Sequence, residues 1–406
     1  MHPNAANYFL PRRIRRCAKG KADMKSSVKL AFSLFVGLFA VIELAHFASA
    51  QTTTLNAYVY VINRLNGPIN ELDGFSADST GALTALPGSP FWTSTTASQF
   101  WTLAHTPNWL FLSDEVKIYS FSIASNGALT LKSSINAQQF SPAGSDVMSK
   151  LSINRSGSTL YAAATEQSPA TGNAILAFHR GSNGVFTYLG STDYPDRNGF
   201  SDIFGEASSR LDFLINDQYA YKAGCDNGNA SWFAAQLNSD GTLGRFPINP
   251  TIPSNPNGNY CPFASAVDST PTPPHLAVGL FLEQSGPAQL AVYTADSSGN
   301  LTTTSTAQNM PTTAVGDGVM SISPAGNLLA IASGRGLQVF HFNGSNPITP
   351  YTKRLAWSAS HPAWDKHNHL YALEGGVRVW RITPNFWKPT ARYPLNAPAA
   401  LTVLSK

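Results

Sequence analysis

The sequence runs to 406 residues, 43% hydrophobic and 12% charged, with 31 glycines and 27 prolines. That is long enough for one large core or two ordinary ones, and too poor in glycine and proline to be collagen-like or wholly disordered. The formal net charge of +4 is gathered largely in the first 29 residues, so the remainder offers no basic stripe for nucleic acid.

Residues 1–50 read as a basic leader and signal peptide. In MKSSVKLAFSLFVGLFAVIELAHFASA (24–50), Lys25 and Lys29 supply the positive start, Ala31 to Ile42 the apolar run, and Ala48-Ser49-Ala50 the small-x-small cleavage site. Glu43 ends the apolar run well short of the roughly 20 residues that span a bilayer. The expected product is secreted or periplasmic, begins at Gln51 and has no membrane attachment. Translation could start at Met1 or Met24.

Residues 51–406 read as one domain. It opens with the apolar strand AYVYVIN (Ala57 to Asn63), and then a hairpin pattern recurs seven times. The copies begin at Asp73 (DGFSADSTGALTALPGS), Tyr119, Leu176, Phe233, Ala291, Gln338 and Arg378. Each has an alternating run, a polar turn and a second alternating run. The turn glycines Gly81, Gly127, Gly184, Gly241 and Gly299 are 46, 57, 57 and 58 residues apart, and the last two copies are degenerate. Between the copies lies a second strand pair, clearest in SISPAGNLLAIAS (Ser321 to Ser333) and also seen in LSINRSGSTLYAAA and AWDKHNHLYALEG. TLAHTPNWLFLSD and EASSRLDFLIND match it less closely. A four-stranded unit, a to d, repeating about every 50 residues is the pattern of a propeller blade. The chain opens on a strand b with no strand a before it and closes on AALTVLSK (Ala399 to Lys406), a strand with no b after it. The expected fold is therefore an all-β, seven-bladed β-propeller of antiparallel four-stranded blades, the C-terminal strand completing blade 1 and removing two open sheet edges.

The FSADSTGALTALPGSPF string resembles the blade hairpins of the secreted lactonase-like propellers, the superfamily of propeller-type 6-phosphogluconolactonases and Tyr-Val-Thr-Asn repeat proteins. The likeness covers essentially the whole of 51–406. It implies a central channel and, in its catalytic members, hydrolysis of a sugar lactone. Those members carry a Gly-Pro-Arg-His motif at the start of one blade and an Asn-Glu after its strand b. Gly-Pro-Arg-His does not occur here. In blade 3, Lys150 stands where the histidine would be and Glu166 where the glutamate would be; in blade 7, His361 and Glu374 occupy those places.

Strand a begins and strand b ends on the same face of a propeller, at the channel mouth. His361, Glu374, Lys150 and Glu166 are accordingly the candidate catalytic residues, with His361 as base and a carboxylate to orient it. Asp202, Arg335, Arg64, Asp217 and Glu283 are candidate substrate-binding residues at the same face, where solvated loop charge is the alternative reading. Asp114 falls at the same position in blade 2. His361, His367 and His369 invite a metal by spacing, but the propeller places His367 and His369 in the a–b turn on the opposite face. No metal site and no cofactor are expected, and no Gly-x-Ser-x-Gly or His-Glu-x-x-His motif is present. The eight tryptophans, among them Trp101, Trp357, Trp364 and Trp380, could wedge between blades or stack on sugars. Cys225, placed in the b–c loop of blade 4, and Cys261, leading into blade 5, could form a disulfide after export.

Two readings follow. The departure from the catalytic motif favours an exported, lactonase-like binding or scaffold propeller, with a small carbohydrate or lactone ligand or a protein partner. The whole-chain resemblance favours a 6-phosphogluconolactonase-like hydrolase acting on a sugar lactone in the channel. In either case a monomer is expected.

Overall fold

The computed structural model describes residues 54–406 apart from 66–68, 96–97, 99–100, 142–146, 166–172, 195–210, 214–217, 227–228, 269–272, 283–285, 317 and 385–386. The leader lies outside the described residues, as do Glu166, Asp202, Asp217 and Glu283.

The strands form seven antiparallel sheets, one per blade. The innermost strands, in blade order, are Ala397–Ser405, Thr102–Thr106, Val147–Ile153, Asp212–Phe213, Tyr260–Asp268, Val319–Ile322 and Ser360–Trp364. The ring closes as expected: Ala397–Ser405 pairs with Leu55–Arg64, from Ala57 opposite Ser405 to Arg64 opposite Ala397. Blade 1 carries a fifth strand, Trp92–Ser94, beside Asn70–Leu72.

Burial grades outward along each blade. Leu55–Arg64 is buried on both faces, because the neighbouring blades cover it on either side. The outer strands Leu129–Asn136 and Pro389–Pro394 expose most of their residues. The core lies between blades. Tyr58, Tyr60 and Ile62 pack on Leu110, Leu112 and Phe121 of blade 2, while Val59 and Val61 pack on Tyr371, Val377 and Val379 of blade 7. At roughly 1.5–3 kcal/mol per buried side chain of this size, these seams dominate the stability.

The recurring turn glycine has a physical cause. The hydroxyls of Tyr60, Tyr161 and Tyr221 each donate to a turn-glycine carbonyl of the next blade, at Gly127, Gly241 and Gly299 (2.9, 2.8 and 2.5 Å). Gly127 and Gly299 have φ of 84° and 83°, where side chains are strained. A Cβ would also lie 2.7 Å from Tyr58 or 2.6 Å from Tyr219. Conformation and packing both exclude a larger residue.

Blade 4 and the two cysteines differ from the sequence reading. In blade 4 the run read as strand b, LDFLIND, instead contains strand a (Asp212–Phe213), and strand b is Tyr219–Asp226. Both runs alternate, and only the pairing distinguishes them. Cys225 therefore sits on strand b of blade 4 and Cys261 on strand a of blade 5, rather than in the adjoining loops. The two form a disulfide, with Cα atoms 5.0 Å apart.

Candidate functional site

A cavity of about 640 Å³ runs along the propeller axis. The inner strands of blades 1, 2, 3, 6 and 7 form its wall, with Ser265 from blade 5. Its titratable lining, among the described residues, is Arg64, His105, Lys150 and His361, with no carboxylate.

Bulges aim some of these groups. Between Ser360 and Ala363 the inner strand of blade 7 holds two residues, His361 and Pro362, opposite the single Ala372. His361 has φ of 52°, and its Nδ1 lies 3.1 Å from the Ser360 hydroxyl. Proline has no amide proton to lose from the ladder, so Pro362 suits such a site. The inner strands of blades 1, 3 and 5 are interrupted in the same way near their starts, at Ala399, Ser149 and Phe263. In blade 3 the interruption directly precedes Lys150.

Burial, and then the Lys150 ammonium, push the His361 ring down to about 3. The ring is only partly buried because the cavity reaches it, but it is neutral at pH 7. Behind the partly buried Lys150 lies a fully buried amine, Lys222, at 1% exposure. Lys150, Ser152, Tyr161 and Lys222 share a space of about 10 Å³. Burial and then the Lys150 charge hold Lys222 well below the ordinary lysine value. Lower in the channel, His105 Nδ1 is 2.7 Å from the Thr402 hydroxyl. Beside the cavity wall the Ser265 hydroxyl donates to Asp212 at 2.5 Å.

Of the sequence candidates, the structure brings His361, Lys150 and Arg64 to one cavity. Glu374 does not face His361; it accepts from Arg378 at 2.5 Å. Arg335 is exposed and does not line the cavity. Asp114 is buried in its own b–c turn, accepting from the Lys117 amide and the Tyr119 hydroxyl (both 2.8 Å). His369 does not lie in the a–b turn but opens strand b of blade 7, buried against Asp365 at 2.9 Å, at the end of the blade away from His361. Sequence reasoning missed His105, Thr402, Asp212 and Lys222. The first three lie on inner strands, and their signal was that every polar residue of an inner strand, not only the first, is a channel candidate. Lys222, on strand b, carried no such signal.

Fold and cavity define the class: a seven-bladed β-propeller with a cationic axial cavity. No protein-family model matches the chain, and no protein of curated function matches it. Among solved structures it is similar to a periplasmic gluconolactonase from Pseudomonas aeruginosa, at 14% identity and a TM-score of 0.60, over 86% of this chain and 99% of that one. It is also similar to a Lactobacillus plantarum protein (13%, TM-score 0.50, 74% and 82% covered). A Swd1 β-propeller domain from Myceliophteria thermophila is another match (11%, TM-score 0.51, 75% and 89% covered). At these identities the likeness is one of fold.

Proposed function

We propose that the protein is an exported binding propeller whose axial cavity holds a small anionic carbohydrate, one bearing a carboxylate or phosphate. One observation carries this reading: the described titratable lining is two basic side chains and two imidazoles, without a carboxylate. Arg64 and Lys150 would meet the anion. Hydroxyls of Thr102, Ser265, Ser321 and Thr402 on the same wall suit a polyhydroxylated ring. The Cys225–Cys261 disulfide supports export to an oxidising compartment. Titration calorimetry with gluconate, 6-phosphogluconate and neutral glucose tests the proposal. The expected result is binding of the anions alone, weakened about tenfold or more in Lys150→Gln and by added salt. Equal binding of glucose would overturn it.

The second reading is lactone hydrolysis, favoured by His361 and Lys150 sharing the cavity. Two features weigh against it. A ring held near 3 is a poor general base at neutral pH, and Glu374, the expected orienting carboxylate, is engaged by Arg378. Turnover of sugar lactones that is lost in His361→Ala and kept in His367→Ala would establish it.

A further inference from the structure

The most exposed large apolar side chain described is Trp357, at 78%. It lies in the d–a connection between blades 6 and 7, on the channel-mouth face. The segment carrying it is fastened at both ends to the b–c corner of blade 6: Leu355 N donates to Leu337 O at 2.7 Å and Ala359 N to Ser333 O at 2.9 Å. The indole is thus held out on a fixed backbone, which lowers the entropic cost of using it in recognition. The Arg354 guanidinium stacks on it, 3.8 Å from the ring centroid, and also reaches the Arg335 carbonyl (3.5 Å). Arg335, Lys353 and Arg354 are all exposed. The sequence has no Asp or Glu from Gly318 to Trp364, so nothing in this stretch neutralises them. The patch continues into the axial cavity, whose wall includes Ser333, Gly334 and Ala359, all within two residues of Arg335 or Trp357.

We propose that this rim is a second saccharide subsite, so that the ligand is an acidic oligosaccharide, with one uronate-type unit in the cavity and the next lying over Trp357 against Arg354 and Arg335. This rests on the anionic-carbohydrate reading of the cavity. Aromatic faces pack on sugar rings, and fork-shaped guanidinium groups match carboxylates. A nucleic acid strand fits less well, since it calls for successive stacking aromatics and a longer cationic track than three side chains provide.

The test is calorimetry on the full chain with galacturonate, trigalacturonate, maltotriose and a thymidine trinucleotide. Trigalacturonate should bind about tenfold or more tighter than galacturonate. That gain should vanish in Trp357→Ala and in Arg354→Ala, with galacturonate affinity unchanged; both residues are on the surface, so the fold is retained. A gain that survives both substitutions, equal affinity for monomer and trimer, or maltotriose or the trinucleotide binding as tightly as trigalacturonate would each overturn the rim subsite. If galacturonate binds without a chain-length gain, only the rim assignment fails. If neither uronate binds while gluconate or 6-phosphogluconate does, the acidic-oligosaccharide assignment fails and the cavity reading stands; if none of these anions binds, both fail.

Discussion

Blades 1 and 4 build the same sheet by opposite means. Blade 1 has a nine-residue inner strand from the far end of the chain, laddered along nearly all of Leu55–Arg64, and that strand supplies five residues of the cavity wall, Thr402 among them. The described inner strand of blade 4 is two residues long and contributes none. Side chains and a covalent bond fasten blade 4 instead. Ser152 of blade 3 accepts from the Leu211 amide (2.9 Å), the Ser265 hydroxyl of blade 5 donates to Asp212, and Cys225 is bonded to Cys261 of blade 5. Where the backbone ladder is long, it carries most of the closure, with Thr402 against His105 of blade 2 and Ser405 accepting from the Lys366 amide of blade 7 beside it; where it is short, neighbouring blades supply the closure.

The largest test removes the ladder of blade 1. A chain ending at Asn396 loses the inner strand and leaves Leu55–Arg64 as an open edge, and removes Leu401 and Val403 from the cluster that holds Val59 and Val61. The expected result is loss of cooperative unfolding, read by calorimetry and near-ultraviolet circular dichroism. A soluble, cooperatively unfolding product would show that seam packing alone holds the ring. The next test removes the staple of blade 4. Cys225→Ala with Cys261→Ala should lower stability by roughly 3–4 kcal/mol on the chain-entropy estimate for a closed interval of this length. Denaturant unfolding measures it. No change would mean that the contacts of Ser152 and Ser265 suffice.

The same contrast explains what was legible in the sequence. Blade number, the shared blade and the disulfide pair were readable, because turn glycines and alternating strands are local signals, and the mismatched ends specify closure. Blade 4 was misregistered because LDFLIND and YAYKAGCD both alternate, and only pairing distinguishes an inner strand from the next one out. Among the described site candidates, Lys150 and His361, on inner strands, line the cavity, and those just beyond strand b mostly do not. Strand b is one strand further from the axis, about 4.8 Å; Asp114 and Glu374 turn into their own b–c corners, and Arg335 stays exposed at the rim. Arg64 is the exception, as its side chain is long enough to reach the cavity.

The smallest expected effect concerns the strand beside the blade 1 closure. His361 is held near 3 in the folded protein, against about 6.5 for an unfolded chain. Above pH 6.5 neither form binds the proton, and stability is unaffected. As pH falls from 6.5 toward 3 the unfolded chain takes up a proton that the folded protein refuses, so stability is lost across that window. Between pH 7 and 5 the loss is on the order of 1–2 kcal/mol, less where channel water solvates the ring. His361→Gln should flatten this limb in unfolding free energies measured at pH 7, 6 and 5. His275, also lowered by burial, is unchanged in the variant and gives the residual slope. An anion seated between Lys150 and His361 would favour the protonated ring. The wild-type limb should therefore shrink when 6-phosphogluconate is present, and ligand affinity should rise as pH falls from 7 to 5. An acid limb of equal steepness in wild type and His361→Gln would remove His361 from the cavity's electrostatics and leave Lys150 and Arg64 to hold the ligand alone.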